Sequence, residues 1–259
     1  MTAAKKLLFF GTVATVGLGF ACVKQPTITE PVTQQAPPPE PTEEMKGHDM
    51  SQMETLPVEK RVAFMSGHVF AGLALYRAGA PEQAAPHLLH PVSETHQAER
   101  AGIDALGFKA DIFKAVSDAL AEKRAAEEIE PMLKQAEENI VLLQTNAGGD
   151  AAEVIEYLMN TIDEEYAIGV KEGKITDPGE YQDAYGFSVV ALQIAKRIEG
   201  KDTTQLISAL EQLVGMWPEN GPLADSTPSS VATVTEKTAQ VVASLQAKEA
   251  VIDTPTPAP

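Results

Sequence analysis

The sequence predicts an all-α fold, a bundle of eight or nine helices, and three observations support this prediction. Apolar residues recur at intervals of three and four from Val58 onward, which is the spacing of one face of an α-helix. Alanine is abundant, whereas aromatic residues make up only 5% of the chain, and this composition favours helices over sheets. No stretch shows the convincing alternation of a half-buried strand.

Two helices are predicted at the start of the folded part. One apolar face of the first helix is formed by Val62, Met65, Val69, Leu73 and Tyr76. Gly79 marks its end, because glycine commonly follows the last helical residue. Pro81 opens a short helix that runs to about His90, since proline is well placed at a first helical position. Pro91 then disfavours helix at His90.

Three helices are predicted next. Ser93 is a suitable N-cap for a helix that ends at Gly107, and residues 109–129 have the pattern of another helix. Pro131 is expected to open the third helix, which runs to about Thr145.

The remaining helices each follow a clear start signal. These signals are Asp150 after the NAGGD turn, Asp177 with Pro178 behind it, Asp202, and Thr227 with Pro228. The corresponding helices are predicted to end near Ile168, Glu199, Met216 and Ala250.

The N-terminus has the pattern of an export signal. Lys5 and Lys6 precede an apolar run from Leu7 to Phe20, and small residues surround the bond after Ala21. An apolar run of about 15 residues is short for a membrane span. We therefore expect residues 1–21 to be a signal peptide.

The single cysteine, Cys22, directly follows this segment. Its position resembles the lipid-attachment site of a bacterial lipoprotein precursor. The resemblance implies a lipid anchor on Cys22 and a place in the bacterial cell envelope, facing the periplasm. The alternative is ordinary secretion after Ala21, which leaves Cys22 as an unpaired thiol. The rest of the chain has no cysteine, which excludes disulfides and thiolate metal sites from it.

The chain between the signal and the helices is rich in proline. Seven prolines lie between Pro26 and Pro57, without apolar periodicity, so residues 22–57 are predicted to be a disordered tether. Residues 58–250 are then the helical domain, and residues 251–259 are a disordered tail.

The charge of the chain limits its partners. It has 37 acidic against 20 basic residues and a formal net charge of −17. So acidic a chain repels phosphate groups, and on that ground we exclude nucleic-acid binding. A cation is a better-suited partner for a chain with this negative charge.

Histidine is confined to one segment of the chain, from residue 48 to residue 96. Within the helical domain, the candidate metal ligands are His68, His87, His90, His96 and Glu99. Imidazole and carboxylate ligands suit zinc, iron or copper, and we expect iron or copper here. In the structural alternative, His90 ends a helix, His87 lies on the surface and His68 is a hydrogen-bonded core residue.

The pair His96 and Glu99 also carries a family resemblance. Imelysin-like periplasmic proteins, which are helical envelope proteins linked to iron uptake, have the signature GxHxxE. The pair resembles the HxxE part of this signature. The resemblance implies an all-helical build, an envelope location and a histidine–glutamate pair that takes part in iron handling.

A second set of candidate ligands lies in the tether. His48, Met50 and Met53 fall within six residues. Imidazole and thioether ligands on a flexible segment suit Cu(I), so this segment is a candidate copper site.

Tyrosines alternate with acidic residues between residues 153 and 185. We interpret the tyrosine rings as core residues with their hydroxyl groups in water, and the acidic residues as a solvated face. The alternative is a site where carboxylates and phenolates hold a hard cation such as Fe(III).

The sequence has no nucleophile elbow and no glycine loop after a strand that would bind phosphate, so we do not expect an enzyme. Besides metal handling, an interaction module that holds a partner protein at the envelope stays open. In that module the imidazoles would lie more than about 10 Å apart, too far to share an ion with ligand bonds of about 2 Å.

Overall fold

The computed structural model describes residues 55–93, 97, 100–200 and 202–252, with side chains up to residue 246. Within these residues it has eight α-helices and almost no strand, so the prediction of an all-α bundle is confirmed. Several predicted features lie outside the described residues and stay predictions. They are the signal peptide 1–21, Cys22, the tether ligands His48, Met50 and Met53, the pair His96 and Glu99, and the end of the tail.

The helices are numbered in chain order. They are α1 (Val58–Arg77), α2 (Pro81–Leu89), α3 (Ala110–Ala121), α4 (Ala126–Ala147), α5 (Ala151–Gly169), α6 (Pro178–Lys196), α7 (Thr204–Val214) and α8 (Val231–Ile252). Short 3₁₀ turns cover His90–Val92 and Asp104–Leu106.

Several helix ends lie where the sequence predicts them. The carboxylate of Asp150 accepts hydrogen bonds from the backbone N–H groups of Ala152 and Glu153 at the start of α5. Asp177 does the same for the first turn of α6, with Pro178 at the first helical position. These bonds satisfy donors that have no partner inside the helix. Gly79, after α1, has φ of +83°, a conformation that glycine adopts without steric cost.

The predicted helix from Ser93 to Gly107 is wrong in its described part. Residues 100–103 form turns, and only Asp104–Leu106 is a short 3₁₀ helix. Two glycines with positive φ, Gly102 at +81° and Gly107 at +96°, interrupt the helical path. The side chain of Asn139 on α4 holds the irregular backbone. It donates to the Gly107 carbonyl at 2.9 Å and accepts from the Lys109 N–H at 3.0 Å.

The predicted single helix over residues 109–129 is also wrong, and so is the start predicted at Pro131. Lys123 takes a left-handed conformation with φ of +52°, and the Arg124 N–H turns back to the Ala119 carbonyl at 3.0 Å. These contacts end α3 before α4 begins at Ala126. Pro131 therefore lies inside α4. It is exposed together with Glu127, whose carbonyl group can bond to water in place of the missing N–H.

A short β-hairpin, with two residues in each strand, separates α5 from α6. Strands β1 (Val170–Lys171) and β2 (Lys174–Ile175) pair antiparallel, with Val170 opposite Ile175. The turn residues Glu172 and Gly173 both have positive φ, at +53° and +72°, as in the tight turn whose twist matches a hairpin. Strands of two residues have no alternation that a sequence pattern can detect.

The last four helices form a closed ring. Helix α5 packs on α6 and α8, and α7 packs on the same two helices. Helix α1 lies against α6 and α5, and it also contacts α2 and α4. It is buried along most of its length, from Arg61 to Leu73. The polar side chains of α1 are therefore held among apolar neighbours.

Glycines let α1 approach its neighbours closely. A Cβ atom on Gly186 of α6 would overlap the carbonyl oxygen of Gly67 on α1, and a Cβ atom on Gly67 would overlap the ring of Phe187. On the side of α2, a Cβ atom at Gly72 would lie 2.6 Å from Leu88 Cγ. The backbones of α1 and α6 are thus in direct contact, which places His68 beside Asp183.

None of the helices in the described part of the chain is both long enough and apolar enough to span a membrane.

We expect Gly186→Ala to lower the free energy of unfolding by about 3 kcal/mol, because the added methyl group pushes α6 away from α1. Chemical denaturation measures this change. Gly215→Ala is the matched control, since Gly215 is exposed and has a right-handed helical conformation that alanine also adopts. It should cause no loss. Equal stability of the two variants would contradict the described α1–α6 contact.

Candidate metal centre

A cluster of two imidazoles and a carboxylate is buried between α1, α2 and α6. His68 comes from α1, His87 from α2 and Asp183 from α6, and their relative exposures are 4%, 2% and 3%. Burial of charged or polar groups is unfavourable unless they bond to one another or to an ion. The three side chains meet this condition because both imidazoles form a hydrogen bond with the same oxygen atom of Asp183.

The geometry of the cluster is tight. Asp183 Oδ1 lies 2.7 Å from His68 Nδ1 and 2.8 Å from His87 Nδ1. One ligand atom from each residue lies within 4.8 Å of those of the other two. Ligand atoms bound about 2 Å from one ion lie about 3–4 Å apart. Small side-chain adjustments would therefore suffice for all three to bind a common ion.

A third histidine lies against the cluster. The ring of His90, from the 3₁₀ turn after α2, stacks on the ring of His68 with a centroid distance of 3.6 Å and an interplanar angle of 16°. The ring of Phe64 packs edge-on against His68 at 4.8 Å. His68 is thus held from both sides. Its Nε2 atom is buried and has no hydrogen-bond partner among the described residues.

The cluster shifts the pKa values of its own members. Burial raises the pKa of the Asp183 carboxyl, but His68 and His87 more than offset this and hold that pKa below its usual range. Burial lowers the pKa of His87, whereas the charge and hydrogen bond of Asp183 raise it, and the net result is an increase. The pKa of His90 lies well below its usual value because of burial and the neighbouring His68. His90 is therefore a neutral imidazole at pH 7.

The structure brings together three of the five predicted ligands in the helical domain, namely His68, His87 and His90. The two others, His96 and Glu99, lie outside the described residues. His87 is not the surface residue of the structural alternative, because it is 2% exposed. The ring centroids of His68 and His87 are 6.5 Å apart, so these imidazoles do not show the separation expected of the interaction module.

Asp183 is not among the predicted ligands of the helical domain, although it belongs to the acidic stretch for which a cation site is the alternative interpretation. The prediction that the acidic residues from 153 to 185 form a solvated face is wrong for three of them. Glu165, Glu180 and Asp183 are 1%, 5% and 3% exposed. The spacing of three between Glu180 and Asp183 on α6 was a usable signal, since it places both carboxylates on one face of the helix.

Glu165 of α5 and Glu180 of α6 form a second buried pair. Burial raises the pKa of Glu165 to about 7. Burial, the hydrogen bond that Glu180 donates to Glu165 and the charge of that neighbour raise the pKa of Glu180 to about 10. The two carboxyl groups therefore hold at least one proton at neutral pH. Asp183 contributes to the increase in both pKa values, so this pair and the histidine cluster affect each other electrostatically.

The tyrosines and the single tryptophan close this part of the core. Tyr166 and Tyr181 are buried and pack around Trp217, as expected for rings in the core. The Tyr166 hydroxyl donates to the Ser229 carbonyl at 3.0 Å, where the sequence predicted that it would bond to water. Trp217 Nε1 donates to the Tyr181 carbonyl at 3.2 Å, so the loop after α7 is attached to α6.

A cleft of about 240 Å³ lies elsewhere in the molecule, where the start of α5 meets the ends of α4 and α6. Its walls include Arg197 and a single carboxylate, Glu59, but no histidine. This chemistry is unsuited to a transition metal. The buried cluster is therefore the better candidate site.

The described part of the chain is thus an all-α protein with a buried histidine–carboxylate cluster, and residues 143–249 are similar to a known family. They match the family model of the iron permease-associated 4-helix bundle domain. The matched segment contains the ring of α5, α6, α7 and most of α8. No curated protein and no solved structure matches the chain.

The segment that matches the family model contains only part of the buried cluster. Asp183, Glu165 and Glu180 belong to the matched segment, whereas His68 and His87 precede it. The histidines thus come from α1 and α2, which lie outside the four matched helices.

The buried glutamate pair predicts a dependence of stability on pH. Because the folded-state pKa values of Glu165 and Glu180 are raised, the pair's contribution to stability is full below about pH 4 and is lost as the pH rises through those values. Glu180→Gln removes one acid and keeps a hydrogen-bond donor for Glu165. We expect it to raise the free energy of unfolding at pH 8 by about 1–3 kcal/mol and to flatten its decline between pH 5 and pH 8.

Thermal and chemical unfolding with a chelator present measure this effect. Glu156→Gln on the exposed face of α5 is the control and should leave the pH dependence as in the wild type. An unchanged slope in Glu180→Gln would show that the pair does not share a proton.

Proposed function

We propose that this chain is an envelope-anchored protein that binds a metal ion as part of iron uptake. Its proposed ligands are His68, His87 and Asp183. The observation that carries the proposal is their convergence in the core, with both imidazoles within 2.8 Å of one carboxylate oxygen.

The donor set favours particular metals. Two imidazoles and one carboxylate suit Fe(II) and Zn(II), whereas Cu(I) prefers thiolate and thioether ligands. The described cluster contains no sulfur ligand. The similarity of residues 143–249 to a domain described as iron permease-associated favours iron over zinc. Copper stays a proposal for the tether ligands His48, Met50 and Met53.

The surroundings of the cluster supply further groups for a bound ion. His90 stacks on His68 and is neutral at pH 7, so it has the lone pair that a metal ligand needs. Glu180 is one helical turn from Asp183. A cation bound beside these groups would compensate the negative charge that burial makes unfavourable. His96 and Glu99 stay candidate ligands from the segment that follows His90.

The N-terminal sequence pattern and the family similarity support a proposed location and partner. A signal peptide, a lipid on Cys22 and the tether over residues 22–57 would hold the helical domain at the periplasmic side of a bacterial membrane. The matched description supports an iron permease as a partner in that membrane. The role proposed is binding and delivery, without a chemical step. The imelysin-like resemblance proposes the same process, although the matched family model is a different one.

Metal content tests this proposal. The full-length chain is stripped with a chelator, exposed separately to Fe(II) without oxygen, Zn(II) and Cu(I), desalted and analysed by plasma mass spectrometry. We expect about one iron per chain. In a variant with His68→Ala and Asp183→Asn, we expect retention of iron to fall by more than tenfold, because two of three ligands are lost.

The matched control is a variant with His48→Ala, Met50→Ala and Met53→Ala, which should keep its iron. Melting temperatures show whether each variant is folded. Iron retained by the folded His68→Ala, Asp183→Asn variant would contradict the site. Copper lost only from the tether variant would identify the tether as a separate copper site.

A further inference from the structure

A chain of hydrogen bonds leads from the cluster to the loop between α7 and α8. His87 Nε2 lies 2.9 Å from Gln182 Oε1, and Gln182 Nε2 lies 2.6 Å from Gln83 Oε1. The backbone N–H of Ala224 donates to the same Gln83 oxygen at 3.1 Å. Gln83 and His87 are four residues apart on α2, so they lie on the same helix face.

The backbone N–H of Ala224, at the end of this series of hydrogen bonds, fixes the direction of each bond in the series. A backbone N–H only donates, so the Gln83 side-chain atom that faces Ala224 is its oxygen. That oxygen also faces Gln182, which must therefore present its amino group to Gln83. The Gln182 oxygen is then left to face His87. The amide orientations thus follow from the Ala224 N–H and need no assumption about either glutamine.

These bond directions also show that the Nε2 atom of His87 carries a hydrogen. Because the Gln182 oxygen is an acceptor, His87 Nε2 must carry a hydrogen to bond with it. The other ring nitrogen, Nδ1, faces the Asp183 carboxylate at 2.8 Å. A metal ion that binds beside Asp183 would take the place of the Nδ1 hydrogen, while the Nε2 hydrogen stays bonded to Gln182.

We propose that Gln83 and Gln182 are positioning residues that hold the hydrogen on His87 Nε2 and so reserve Nδ1 as the metal-binding atom. This inference rests on the proposed function. Such bonds to the second nitrogen of a metal-binding histidine fix its tautomer and ring orientation, and their loss weakens metal binding by about 10- to 100-fold. Neither glutamine touches the ion. Both act through His87.

Two substitutions at Gln83 separate positioning from packing. Gln83→Leu removes the oxygen that orients Gln182, so the Gln182 amide is free to turn its amino group toward His87. We expect this variant to bind Fe(II) and Zn(II) at least tenfold more weakly than the wild type. Gln83→Glu keeps an oxygen that accepts from both Ala224 and Gln182. It should therefore bind both metals about as well as the wild type.

Gln193→Met is the matched control, because Gln193 lies on α6 and its side-chain oxygen is buried without a partner among the described residues. It should leave both affinities unchanged. Trp217 reports on the integrity of this region, since it is the only tryptophan and bonds to the backbone next to Gln182. Unchanged Trp217 fluorescence in each variant shows that α6 and the loop are still in contact.

Nitrogen-15 NMR of the His87 ring provides a readout that packing alone does not change. In the metal-free wild type and in Gln83→Glu, His87 Nε2 should carry a hydrogen, and with Zn(II) the metal should be on Nδ1. In metal-free Gln83→Leu, some of the His87 rings should carry their hydrogen on Nδ1 only, with Nε2 as the acceptor of a hydrogen bond from the Gln182 amino group. Equal affinity and one tautomer in Gln83→Leu would overturn this inference while leaving the proposed function intact. A wild type that binds neither metal would instead overturn the proposed function. A His87 Nε2 atom without hydrogen in the metal-free wild type would overturn the positioning role on its own.

Discussion

The carboxylate of Asp183 connects three helices through two imidazoles, and much of the structure serves to place it. It is buried, ionised and bonded to His68 of α1 and His87 of α2. An isolated carboxylate in such a place would be strongly unfavourable. The close approach of α1 and α6 at Gly67 and Gly186 brings His68 within hydrogen-bond distance, and α2, which packs on α1, supplies His87.

Stability alone gives little reason for such a cluster. Replacement of a buried ion pair by apolar side chains of similar volume is often neutral or stabilising. Here the core holds two further buried acids, Glu165 and Glu180, whose raised pKa values show how unfavourable their ionisation is. A cation bound at the proposed site would compensate the buried charge of Asp183. This unfavourable burial is one reason why we propose a metal site here.

Local signals predicted most of the helices, and long-range contacts decided the rest. Asp150 and Asp177 cap helices because the capping bond involves only residues two or three positions away. The break at Lys123 has no such local signal, since a lysine rarely takes positive φ. The histidines were found because their residue type is confined to one segment. Asp183 was one acid among 37, and its partners lie 96 and 115 residues away.

The division of the cluster between two parts of the chain also explains why neither part shows it alone. The helices similar to the iron permease-associated 4-helix bundle domain supply the carboxylates. The preceding helices α1 and α2 supply the imidazoles and Gln83. Each part of the chain alone contains only one type of ligand of the cluster, imidazole in the first part and carboxylate in the second. The packing of α2 on α1 and of α1 on α6 brings the two types of side chain together.

The iron K-edge absorption spectrum of the full-length chain, loaded with one Fe(II) in the absence of oxygen, tests the central claim most directly. The proposed site predicts scattering from at least two imidazole rings together with oxygen at about 2 Å, and no sulfur. A first shell made only of oxygen, or one that contains sulfur from the methionines of the tether, would contradict it.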